Sequence, residues 1–207
     1  MPTSDSAIKV LVLNGSLKHR PELSNTEELA QDVLNYMVPY QVASEIIRLA
    51  DKNIPVGLGY RESDTDEWPE IVTKIKASDI IIFATPIWWG GRSSLLQRVI
   101  ERLDALDEEY HAEGRSALLN KVAGIVITGS EDGAQATLAA IMEVLTFMNF
   151  TLPPECCAYW VGEVGQSPAE DRAKRMANKA TQHMAKNLAR NLLFYAQLLK
   201  KQPMLLG

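Results

Sequence analysis

Five strand-like runs, four of them near-continuously apolar at 8–14, 79–85, 121–128 and 155–161 and one more polar at 43–49, alternate with stretches of helical spacing, and this alternation constrains the fold most tightly. A strand that faces water on one side alternates apolar and polar residues. A run apolar throughout is buried on both faces, which is the habit of a parallel sheet sandwiched between helices. Between the runs, Leu29, Val33 and Met37 share one face of a helix that opens at Ser24 and stops before Pro39. Pro69 begins a short helix through Lys76. Ser93 opens another, with Leu95, Leu96, Val99, Ile100, Leu103 and Leu106 on its apolar face. A fourth follows Gly133, and the last starts at Ser167-Pro-Ala-Glu170 and runs to Lys201. Residues 51–67 show no period and read as a long loop. The expected architecture is a three-layer α/β/α sandwich around a five-stranded parallel sheet of order 2-1-3-4-5. At 207 residues one domain, 1–207, can bury a sizeable core.

Several classes are set aside by composition. A net charge of −5 gives no basic field for nucleic acid. The longest apolar stretch, 80–89, contains Thr85 and Pro86 and is half the length of a membrane-spanning helix. The first six residues have neither the basic nor the apolar region of a leader. Cys156 and Cys157 are adjacent and cannot form a four-thiolate cluster. They read as small core thiols in a reducing cytoplasm, with a redox role as the alternative. His19, His111 and His183 show no triad or metal-ligand spacing, so no metal site is expected.

In the order 2-1-3-4-5, strands 1, 3 and 4 are neighbours, and the loops after them converge where doubly wound sheets bind ligands. Those are the loops with unusual chemistry. The first leaves its strand at Gly15 and gathers Ser16, Lys18, Ser24, Asn25 and Thr26 ahead of a helix. Hydroxyls, an amide and free N–H groups at a positive dipole end make a phosphate cradle. Ser24 also suits a plain helix cap, and Lys18, His19 and Arg20 suit either phosphate or water. The spacing is neither a Walker loop nor a dinucleotide fingerprint. The second loop, Pro86-Ile87-Trp88-Trp89-Gly90, offers flat faces and bare backbone to a heteroaromatic ring, although core packing is the commoner use of a tryptophan. The third, with Thr128, Gly129, Ser130 and Gly133, places backbone N–H groups beside such a ring or forms a simple turn.

At these residues the chain resembles the NAD(P)H-dependent FMN reductase family of the flavodoxin-like superfamily, from about Ile8 to Tyr159. Gly15-Ser16 with Ser24-Asn25-Thr26 resembles its phosphate loop. Thr85 to Gly90, with Leu96 and Ile100-Glu-Arg-Leu-Asp104, resembles its second flavin loop. Thr128-Gly129 and Asp132-Gly133 resemble its third. Trp88 stands where the family often has Tyr, Glu101 where Asp is common, and Gln97 where Lys is frequent. The cysteine motif of the related iron–sulfur flavoproteins is missing. The resemblance implies a flavodoxin-like fold, FMN held by the residues just named, and ping-pong hydride transfer. The hydride would pass from NADPH or NADH through FMN to a small acceptor such as a flavin or quinone. No side chain is assigned as acid, base or nucleophile. A cytoplasmic homodimer or homotetramer is implied, with the apolar helix 134–150 either deeply buried or at a subunit contact. The alternative is a flavodoxin-like electron carrier without its own NAD(P)H activity.

Overall fold

The computed structural model describes residues 7–205; the first six residues, expected to carry no leader, lie outside it. Its strands are β1 (Lys9–Asn14), β2 (Ala43–Arg48), β3 (Ile80–Trp88), β4 (Gly91–Arg92), β5 (Val122–Gly129) and β6 (Cys157–Val161). Its α-helices are α1 (Asn25–Met37), α2 (Trp68–Ala77), α3 (Ser94–Arg102), α4 (Ala105–Glu113), α5 (Ala134–Phe147), α6 (Pro168–Ala177) and α7 (Lys179–Lys201). The sheet runs β2-β1-β3-β5-β6, with every pair parallel, and β4 folds back antiparallel on the end of β3. Leaving out that two-residue strand, the order is the expected 2-1-3-4-5 in a three-layer, flavodoxin-like sandwich.

Alternation along the strands divides the apolar residues between two cores. Leu11, Leu13, Ile81, Phe83, Ile125 and Ile127 face α2, α3 and α5. Val10, Val12, Ile80, Ile82 and Val126 face α1 and α7. A bare backbone at Gly124 lets α7 approach: a Cβ there would lie 2.8 Å from Leu192 Cδ1. Cys156 and Cys157 are free and buried. Burial pushes both thiols up from their ordinary range.

Boundaries differ from the sequence reading in four places. The third strand does not stop before Pro86 but continues to Trp88, with Pro86 paired to Thr128. A two-residue turn then joins β3 to β4: Trp88 pairs with Gly91, and Trp89 (φ 49°) and Gly90 (φ 79°) are both left-handed. Two such residues between antiparallel strands are the signature of a type I′ hairpin. The helix expected from Ser93 through Leu106 divides after Arg102. The apolar spacing runs on across the break, so periodicity cannot detect it. The last helix divides at Asn178, whose side chain accepts from Thr181 N and caps α7.

Arg102 explains the long segment after β2. Its guanidinium is fully buried and donates to Pro55 O (2.9 Å), Gly59 O (2.9 Å) and Asp66 Oδ2 (2.8 Å). Much of the aperiodic loop is thus wound around this cation. Burial alone would raise the Asp66 carboxyl. Hydrogen bonds from Glu62 N–H, Arg102 and Trp68 N–H outweigh it and hold the group below its usual range. That stabilisation is present above the unfolded value, about 3.9, and is lost as pH falls through the lower folded value. Replacing Arg102 by Met leaves Asp66 buried without its cation. The expected cost is about 3–5 kcal/mol in urea unfolding at pH 7, with new proteolytic cleavage between residues 53 and 66.

Candidate functional site

A cleft of about 300 Å³ opens at the carboxyl ends of β1, β3, β5 and β6. Its first wall is the β1–α1 loop. Gly15 must pass close to its neighbours: its N–H donates to Ala84 O (2.7 Å), and a Cβ there would lie 2.7 Å from Ser93 Oγ. Asn14 Oδ1 accepts from Ser16 N, and Ser16 Oγ accepts from Lys18 N. Ser24 does cap α1, accepting from Glu27 N at 3.1 Å, and it also lines the cleft. The two readings of Ser24 are therefore compatible. The N–H groups of Asn25 and Thr26, in the first turn, have no intrahelical acceptor. Asn25 Oδ1 is buried without a partner.

The cations of this loop are committed elsewhere. Lys18 lines the cleft, but its Nζ donates to Leu23 O (3.1 Å). His19 meets Asp51 at 3.2 Å, and Arg20 lies 3.6 Å from Glu27. Glu27 also receives hydrogen bonds from Arg48 (2.9 Å) and Asn14 (3.0 Å). Burial would raise its carboxyl; Arg48, Asn14 and Arg20 together hold it below its ordinary value. The helix end adds partial positive charge to that of Lys18 at this wall.

The β3–β4 hairpin is the second wall. Pro86, Ile87, Trp88 and Trp89 all line the cleft. Trp88 is 50% exposed and Trp89 91%, so neither tryptophan serves as core packing. Behind them Ser93 N donates to Thr85 Oγ1, and Ser93 Oγ donates to Gly15 O (2.6 Å), locking the first two walls together. Thr128, Gly129 and Ser130 form the third wall. Thr128 Oγ1 lies 2.6 Å from Thr26 Oγ1, which ties β5 to the start of α1. Gly90 and Gly133 do not line the cleft. They pack on each other, and a Cβ on Gly133 would lie 2.8 Å from Gly90 Cα.

A fourth wall was not foreseen. Trp160 at the end of β6, with Glu163, Gly165, Gln166 and Asp171, closes the side beyond β5. Gly162 N donates to Gly129 O (2.7 Å), and Trp160 Nε1 donates to Asp171 Oδ1 (2.8 Å). The available signal was another tryptophan at a strand end followed by glycines.

The model of the family described as NADPH-dependent FMN reductase matches residues 8–163 of the 207. The chain belongs to that family. It is therefore an oxidoreductase of the class whose cofactor is FMN and whose reductant is a nicotinamide nucleotide. It is 28% identical over 206 residues to 8-demethyl-8-aminoriboflavin-5′-phosphate synthase of Streptomyces davaonensis, covering 95% of this chain and 80% of that protein. It is 30% identical over 205 residues to a Mycobacterium bovis protein named divalent metal cation transporter, but the match spans 96% of this chain and only 30% of that protein. A crystal structure of RosB with bound 8-demethyl-8-formylriboflavin-5′-phosphate superposes with a TM-score of 0.83 at 28% identity, covering 96% of this chain and 82% of the other.

The contact between Gly90 and Gly133 joins the second and third walls of this flavoprotein. Gly133→Ala adds a clash to an unfavourable φ of +123°, whereas Gly90→Ala, with nothing within 4 Å of its Cβ, adds only the left-handed cost. Thermal unfolding is expected to show Gly133→Ala losing about 1–3 kcal/mol and Gly90→Ala about 1 kcal/mol.

Proposed function

We propose that the cleft binds FMN with its phosphate at the start of α1 and its ring against Trp88, and that hydride passes from NADPH or NADH to a small acceptor such as free flavin or a quinone. The observation that carries this reading is the meeting of the first and second walls: unpaired helix N–H groups face the same cleft as a half-exposed tryptophan. The Asn25 amide at the cleft has its oxygen buried without a partner; turned over, it would offer the phosphate an N–H donor. Riboflavin-5′-phosphate derivatives, in the name of the Streptomyces relative and in the RosB structure, support the same ligand class.

In this assignment Ser16, Ser24 and Thr26 donate hydroxyls to the phosphate, and the Asn25 and Thr26 N–H groups add the dipole end of α1. Lys18 borders the same wall. Pro86, Ile87, Trp88 and Trp89 bound the ring, and Thr128, Gly129 and Ser130 meet its polar edge. Gly90 and Gly133 shape those walls from behind. FMN, when bound, supplies the two-electron chemistry between the nicotinamide and the acceptor. The protein's part is to hold the ring, leave one face open to the nicotinamide, and present backbone donors to its electron-rich edge. No side chain is assigned as acid, base or nucleophile.

A homodimer or homotetramer belongs to the same proposal, since Phe147 on α5 is 83% exposed and Trp89 more so. The two buried free thiols suit a reducing cytoplasm. No described helix is long and apolar enough to cross a membrane.

Two outcomes are expected. Mixing the FMN-loaded protein with NADPH or NADH in a stopped-flow instrument bleaches the flavin absorbance within the turnover time. Absence of bleaching by either nucleotide would favour an electron carrier. Ser16→Ala with Thr26→Ala weakens FMN at least tenfold in a fluorescence titration, the loss expected for hydrogen bonds to a charged group. Unchanged affinity removes the phosphate assignment.

A further inference from the structure

The fourth wall contains buried polar atoms without partners. Asp171 is 5% exposed, and its Oδ2 is buried with no hydrogen-bond partner. Its other oxygen takes the Trp160 Nε1–H at 2.8 Å, which fixes the carboxyl plane. The nearby cations are engaged on α1: Arg175 holds Glu28 at 3.1 Å and also Asp32, and Arg172 holds Glu28 at 3.2 Å. Gln166 Oε1 and Nε2, at the same cleft, are likewise buried without a partner. A buried polar atom left unpaired costs free energy, and the acceptors Asp171 Oδ2 and Gln166 Oε1 outnumber the Gln166 Nε2 donor, so this wall suits a ligand rich in hydroxyls, which donate and also accept.

The phosphate of FMN does not meet that need, because its dianion has no proton to give and would repel a carboxylate. The ring brings one imide N–H. The ribityl chain between them carries three hydroxyls, each a donor. Its place follows from the tie between Thr26 and Thr128: one end of the ligand lies at α1, and β5 leads directly to Gly162 and Asp171 through Gly129.

We infer that Asp171, oriented by Trp160, and Gln166 form a polyol-reading subsite that accepts hydrogen bonds from the ribityl hydroxyls of the flavin. This rests on the FMN assignment above and adds to it. The β6–α6 segment selects flavins by their sugar-alcohol chain, independently of the phosphate and the ring. Trp160 is a positioning residue in this scheme: it touches the carboxyl, and the carboxyl touches the chain.

The test is a set of fluorescence titrations of the apoprotein with FMN, riboflavin and lumiflavin, which has the ring but no hydroxyls. Asp171→Asn keeps the shape and replaces one acceptor by a donor. It is expected to weaken FMN and riboflavin by roughly tenfold or more and to leave lumiflavin within about twofold. Gln166→Ala, on a loop outside both cores, and Trp160→Phe, which removes the orienting N–H along with part of the ring, are expected to show the same selectivity with smaller losses. These two serve if Asp171→Asn fails to fold. Equal losses for all three ligands, or no loss for FMN, in the variants that fold overturn the subsite while leaving FMN binding intact. A wild-type protein that takes up no FMN overturns the cofactor assignment, and this inference with it.

Discussion

Parallel pairing sends β1, β3, β5 and β6 out of the sheet at the same edge, and the cleft depends on this constraint. Four loops with little sequence in common are brought within reach of one another only because their strands run the same way. Short polar contacts then fix their spacing: Ser93 to Gly15, Thr26 to Thr128, and Gly162 to Gly129. Each links one wall to the next and uses a hydroxyl or backbone group. Had one strand been reversed, its loop would open on the opposite edge, whatever residues it carried.

The electrostatics of the cleft follow from how its charges are partnered. Lys18, His19 and Arg20 stand in the first loop, yet each finds its partner within the protein. Glu27 and Arg48 hold the loop's base together. In the proposed binding mode the oriented N–H groups at the end of α1, which carry partial charge and do not reorganise, add to the charge of Lys18. Across the cleft, Asp171 and Gln166 present acceptors. The α1 side offers backbone N–H groups, and the far side offers mostly acceptors. A ligand with an anionic tail and a hydroxylated chain matches both.

Much of this was legible in the sequence. The alternating runs give the strand count, and the doubly wound order that suits five parallel strands brings the three chemically unusual loops together. Thr26, Trp88 and Thr128 line one cleft, as expected from their places at strand and helix ends. Three things were hidden for physical reasons. The division after Arg102 is invisible because Leu103 and Leu106 continue the apolar spacing across it. The loop at 51–67 shows no period because its order comes from the Arg98 and Arg102 guanidiniums of α3 and from side-chain hydrogen bonds within the loop, not from a repeating apolar face. The fourth wall was missed because Trp160 and Asp171 are eleven residues apart on different elements, and only the fold places the indole against the carboxyl. Each half alone looks like an ordinary edge strand or an acidic helix start.

The central claim is that the flavin phosphate sits on the first turn of α1. A crystal structure of the protein with riboflavin 5′-phosphate tests it most directly. The account predicts phosphate oxygens within hydrogen-bond distance of the Asn25 and Thr26 N–H groups, with the ring lying against Trp88. An ordered flavin whose phosphate lies away from that turn, or a fully loaded crystal with nothing in the cleft, would contradict it.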